Sequence, residues 1–110
     1  MKIVSRDDSS ATIISVKGRI DAMTSPDFEN YLSNLLKQEK NNLIINLGEL
    51  EYISSAGLRV ILSVAKTVKA NQGNLLFCGL QGSAKEIFEI SGFCSILQVL
   101  DTEEEALTKI

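Results

Sequence analysis

Leu43-Ile44-Ile45-Asn46-Leu47, followed six residues later by Ser54-Ser55-Ala56-Gly57-Leu58-Arg59-Val60-Ile61-Leu62, is the stretch from which the fold can be read. Its first part is a short, nearly continuous apolar run, the pattern of a parallel strand covered on both faces in an α/β sheet. Its second part opens a helix over 56–71. Leu58, Ile61, Leu62, Ala65 and Val68 return on one side at helical spacing, and Gly73 stands just past the end as a stop. A buried strand leading into an amphipathic helix is half of a βαβ unit, so the sequence on either side should repeat the alternation.

It does. Upstream, residues 3–6 and 12–17 read as strands, and Asp7-Asp8-Ser9-Ser10 between them is turn-rich, so the pair forms a hairpin. Ser25 then suits an N-cap and Pro26 the first helical position, where its missing N–H costs nothing. Phe28, Leu32, Leu35 and Leu36 fall on one face of that first helix. Downstream, residues 74–78 form a further core strand. Ser83-Ala84-Lys85-Glu86 is a capping box opening a third helix that Gly92 ends. Residues 96–100 form a short last strand. Thr102-Glu103-Glu104-Glu105 is a second capping box, its acids suited to the positive end of a helix dipole, and Ala106, Leu107 and Ile110 dock that helix. The order is ββαβαβαβα: one α/β domain over 1–110, with a mostly parallel four- to five-stranded sheet and an antiparallel first strand. Right-handed crossovers that step in one direction stack the helices on one face.

Bulk properties narrow the function. With 110 residues, 45% of them hydrophobic, the chain suffices for one packed core. The net charge is −3 and the basic residues are scattered, which argues against nucleic acid as a partner. No run approaches the ~20 apolar residues of a membrane span, and the N-terminal residues lack the apolar region of a signal peptide. Membrane insertion is not expected and a cytoplasmic location is. Cys78 and Cys94 are then reduced and read as small buried hydrophobes. The chain contains no histidine. That removes Ser-His-Asp and Cys-His catalysis and most zinc sites, so neither an enzyme nor a metal or cofactor site is expected.

Ser54-Ser55-Ala56-Gly57 lies between the strand and the second helix, which in a parallel sheet is the carboxyl edge where ligands and partners engage. Ser55 reads as the helix cap, with Ala56 and Gly57 in the first turn. Gly57 costs ~1 kcal/mol in a helix relative to alanine, so its lack of a side chain serves close approach. That turn carries no acid, which leaves its N-terminus open to an anion, and Arg59, four residues after Ser55, can pair with a phosphate. Two readings stay open on these residues alone: a plain N-cap over a tight packing position, and a phosphate-bearing serine. Ser-Ser-Ala-Gly is not the G-x-S-x-G of a nucleophile elbow. Asp21, just before the first helix and near the same edge, is either a turn or capping acid or a partner contact. Val60 and Val64, off the main stripe of the second helix, are expected to pack against the third helix, the alternative being a partner.

A resemblance separates these readings. The run 46–62, Asn46-Leu47-Gly48-Glu49-Leu50-Glu51-Tyr52-Ile53-Ser54-Ser55-Ala56-Gly57-Leu58-Arg59-Val60-Ile61-Leu62, resembles the central motif of the STAS domain as found in bacterial anti-sigma factor antagonists. Gly18-Arg19-Ile20-Asp21-Ala22, followed by Ser25-Pro26 and Phe28, is similar to the family's N-terminal motif. The resemblance implies the STAS fold and a partner switch that regulates transcription. The unmodified protein binds an anti-sigma factor, a serine kinase of the ATP-binding histidine-kinase-like class. Phosphorylation of one serine at the start of the second helix weakens that complex, and a metal-dependent serine phosphatase reverses it. The family's S-x-G pattern falls on Ser55, with Ser54 as the alternative acceptor, and implies a partner surface of Asp21, Ser54, Ala56, Gly57, Leu58 and Arg59. Ser54 and Asn46 both stand where many members carry aspartate. An alternative within the same family is a phosphorylation-independent adaptor subunit of a transport or sensory complex.

Overall fold

The computed structural model describes residues 1–8 and 10–110; Ser9, assigned above to the first hairpin turn, lies outside the described residues. Five strands, β1 (Lys2–Asp8), β2 (Ala11–Ile20), β3 (Asn42–Ile53), β4 (Asn74–Cys78) and β5 (Gln98–Leu100), form one sheet in chain order. β1 pairs with β2 antiparallel, and every later pair is parallel. The expected order and sheet are therefore present. The helices are α1 (Ser25–Lys37), α2 (Ser55–Ala70), α3 (Gly82–Ile90), α4 (Phe93–Ile96) and α5 (Glu103–Leu107).

Strand alternation divides the apolar residues between two faces. Ile14 and Val16 of β2, Leu43, Ile45 and Leu47 of β3 and Phe77 of β4 meet Phe28 and Leu32 of α1, Ile61 of α2 and Phe88 of α3 in the main core. The intervening Ile13, Ile44, Leu76 and Cys78 form a smaller core under Ala106 of α5, flanked by Leu107 and Ile110. The expectation that all helices share one face thus holds for the crossover helices and fails for α5. Because α5 follows the last strand, no crossover constrains its side, and it covers the reverse of the sheet.

Four further expectations need correction. β3 does not end at Leu47 but continues to Ile53. Its partner register passes from Ser15–Asn46 to Lys17–Glu49 and again from Gly18–Leu50 to Arg19–Tyr52, so β3 holds an extra residue at each shift. Such bulges break the alternation that marks a strand, and Gly48 with Glu49 looked like a connection. The α1 cap is Thr24, not Ser25, which is the first helical residue; the Thr24 hydroxyl is already engaged with the loop before it. The α3 cap is Gln81, and Ser83 lies within the helix, because the Gln81 side chain donates to the Gly48 carbonyl at 2.5 Å and draws the turn toward β3. Cys94 is exposed, whereas Cys78 is buried as expected. The Cys78 thiol is pushed up to about 11 by burial, with the acids Glu103 and Glu104 adding to the effect. Thr102 caps α5 as expected, accepting the Glu105 amide.

The α2–β4 turn shows why one glycine is obligatory. A Cβ on Gly73 would lie 2.1 Å from the Asn41 carbonyl oxygen, and the next amide, that of Asn74, donates to that same oxygen at 2.9 Å. No flexible side-chain end can yield here. Gly73→Ala is expected to destabilise the domain by about 1–3 kcal/mol through overpacking, seen in urea titration as a lower midpoint with an unchanged slope.

Candidate functional site

β2 and β3 both end at the carboxyl edge, and their ends are tied together. The Ser54 amide donates to the Ile20 carbonyl at 2.8 Å, so the β3–α2 junction and the β2–α1 loop form one surface. Ser54 is extended, with φ −87° and ψ 172°, and its Oγ accepts the Gly57 amide at 3.3 Å. Ser54, not Ser55, is therefore the cap, which corrects the sequence reading. Both are capping residue types, and the extended backbone at Ser54 decides between them.

The displaced role leaves Ser55 as the first residue of α2, exposed to solvent. Among the described residues its hydroxyl makes no hydrogen bond and the Arg59 guanidinium makes no ion pair. The first turn of α2 contains no acid. Ala56 and Leu58 are half-buried, Arg59 is exposed and Gly57 is buried. A Cβ on Gly57 would lie 2.7 Å from side-chain carbons of both Ile20 and Ile53. The missing side chain thus seats the start of α2 directly on the two strand ends. Arg59 and Ala56 line a groove shared with Pro26 and Glu29 of α1.

Asp21 organises the adjoining loop. Its carboxylate accepts the amides of Met23 at 3.0 Å and Thr24 at 3.1 Å, and its own amide donates to the Thr24 hydroxyl at 2.9 Å. That hydroxyl donates to the Arg19 carbonyl at 2.9 Å, with the Asp21 carboxylate 3.2 Å away. The Thr24 amide, foremost, and that of Met23 hold the Asp21 carboxyl below its usual range. Asp21 thus organises the turn beside the edge that carries Ser55. Val60 and Val64 are buried, but they border grooves shared with α1 rather than α3. α1 and α2 are successive crossover helices on one face, so they are the neighbours.

Two features escaped the sequence. Met23 is 86% exposed in the Asp21 loop; its only signal was an apolar residue outside any periodic stripe. Arg19 lies over the Tyr52 ring at 4.5 Å, a pairing across β2 and β3 that depends on the second bulge and is invisible without the register. The described residues contain no cluster of side chains able to hold a metal and no helix long and apolar enough to cross a membrane.

The chain as a whole is similar to known proteins. The STAS domain model matches residues 2–106. A Bordetella bronchiseptica protein, BtrV, named as a candidate anti-sigma factor antagonist, is 39% identical over 94 residues, spanning 86% of this chain and 81% of that one. The anti-sigma-B factor antagonist of Listeria monocytogenes is 34% identical over 92 residues, spanning 84% and 81%. Among solved structures, an anti-sigma factor antagonist from Mycobacterium paratuberculosis superposes with a TM-score of 0.90 at 20% identity, covering 99% and 92% of the two chains. The Bacillus protein SpoIIAA in its phosphorylated form superposes with a TM-score of 0.74 at 19% identity, covering 98% of each chain.

Proposed function

The chain belongs to the STAS domain family, a family of regulatory binding domains and not of enzymes, and from that premise we propose that it is an anti-sigma factor antagonist switched by phosphorylation of Ser55. In this reading the unmodified protein binds an anti-sigma factor with serine kinase activity, in the cytoplasm. Phosphorylation releases that partner, and a metal-dependent serine phosphatase restores binding. The observation that carries the proposal is the exposed Ser55 hydroxyl, without a hydrogen bond among the described residues, at the head of a long helix whose first turn has no acid.

Three physical points support it. A phosphate on the first helical residue meets the positive end of the helix dipole and free backbone amides, so the free protein tolerates it. Arg59, one helical turn on and without an ion-pair partner among the described residues, offers a charge-assisted hydrogen bond. The cap that holds α2 belongs to Ser54, so Ser55 is free to be modified without uncapping the helix. The partner surface is formed by Asp21, Ser54, Ala56, Leu58 and Arg59 over the buried Gly57, where about −1.5 to −2 added charges oppose docking without a change of fold.

The test is affinity. Ser55→Asp is expected to weaken binding to the kinase partner purified from the host by about a hundredfold, equivalent to ~2.8 kcal/mol, in isothermal titration. Unchanged affinity would defeat the electrostatic switch and favour an adaptor that binds its partner permanently.

A further inference from the structure

Asn46 stands where β3 leaves regular pairing. Its Oδ1 accepts the Gly48 amide at 2.8 Å, and its Nδ2 donates to Glu103 Oε2 of α5 at 2.7 Å. The other carboxylate oxygen of Glu103 accepts Arg6 of β1 at 2.6 Å. One side chain thus touches the bulge that redirects β3 and the helix that covers the reverse of the sheet. We propose that Asn46, its amide aimed by Glu103, is a positioning residue for Ser55: it clamps the β3 bulge and so ties presentation of the serine to the docking of α5.

A carboxylate only accepts hydrogen bonds, so Glu103 selects the Asn46 nitrogen and leaves Oδ1 for the Gly48 amide. The fit is close: a Cβ on Gly79 would lie 2.9 Å from Asn46 Oδ1 and 3.1 Å from the Gly48 nitrogen. The first bulge begins immediately after the Ser15–Asn46 pair and brings Glu49 opposite Lys17 and Leu50 opposite Gly18; the second, between Leu50 and Tyr52, then brings Ile53 opposite Ile20. Ile20 then receives the Ser54 amide, and Ser54 caps the helix that begins with Ser55. Every step from Glu103 to Ser55 is a strand pairing or a hydrogen bond. With aspartate at 46, two carboxylates would face each other at hydrogen-bond distance and repel. Asparagine is therefore matched to Glu103 here, and the pair makes α5, on the reverse face, a modulator of a site at the carboxyl edge of the sheet.

This inference uses the reading of Ser55 as the switch residue, but its structural part is measurable without any partner. Amide hydrogen exchange at Gly48 and Ser54 is compared in the wild type, Asn46→Asp, Glu103→Gln and the double variant, alongside the rate of phosphate incorporation by the kinase. Asn46→Asp should speed exchange at both amides about tenfold, the loss of one charge-assisted hydrogen bond, and slow phosphorylation. Adding Glu103→Gln should restore both, because the glutamine amide donates to the aspartate. If Asn46→Asp folds poorly, Glu103→Ala should shift the Ser54 amide in the same direction. Faster exchange confined to α5, or no restoration in the double variant, overturns the proposal. If the exchange pattern holds while the wild type takes up no phosphate, the positioning of Ser54 and Ser55 stands and the switch reading fails.

Discussion

Ser55→Ala should take up no phosphate when mixed with the kinase partner and ATP, under conditions in which the wild type takes up one, read by intact mass and by mapping of the modified peptide. The expected loss is complete, because one hydroxyl is the acceptor. The stability of the variant should stay within about 0.5 kcal/mol of the wild type, as for surface changes that touch no special feature, since the Ser55 hydroxyl has no hydrogen-bond partner among the described residues. Ser54→Ala is the matching control. It removes the acceptor of the Gly57 amide and should cost about 1 kcal/mol as a lost N-cap, while phosphate uptake persists. Phosphate retained on Ser55→Ala and lost on Ser54→Ala would transfer the acceptor role to Ser54.

The largest loss of stability is expected at Phe88. Its ring is fully buried between Phe77 of β4 and Phe93 of α4, meeting both edge-on at centroid distances of 5.9 and 5.7 Å. These contacts hold α3 to the sheet and the short α4 to α3. Phe88→Ala removes the shared ring and leaves a cavity that the flanking rings cannot close without leaving their own packing. The expected cost is about 3–5 kcal/mol, a large share of the ~5–15 kcal/mol available to a domain, and a fall in midpoint of roughly 15–20 °C in a thermal melt. A fall of only a few degrees would show that α3 and α4 reseat over the gap.

What was legible in the sequence follows from periodicity. The crossover helices and the central strands carry their apolar residues at regular spacing, so Phe28, Leu32, Ile45, Ile61 and Phe77 all reach the core. Legibility failed where regularity fails. The bulges of β3 hide six residues of strand, 48–53. Caps were misplaced by one or two residues at Thr24, Ser54 and Gln81, because a run of adjacent polar residues offers several cap candidates and only backbone conformation selects one. At the candidate site the segment was found from composition, the absent acids and the resemblance of 46–62. The division of labour between Ser54 and Ser55 needed ψ at Ser54, and the Asn46–Glu103 contact joins residues 57 positions apart, beyond any local pattern.

The strand order β1-β2-β3-β4-β5 also dictates how the sheet can be assembled. Each strand pairs with the one made just before it, so during synthesis no strand waits for a distant partner, and the growing sheet presents a single advancing border. Sequential pairing keeps loop-closure costs small. It also means that the advancing border is always an unpaired strand, a template for misassociation. The two finished borders answer that hazard differently. β5 is only three residues long, too short to offer a useful ladder, and β1 displays Lys2, Arg6 and Asp7 on an exposed strand, where a second copy would have to bury charge in order to pair.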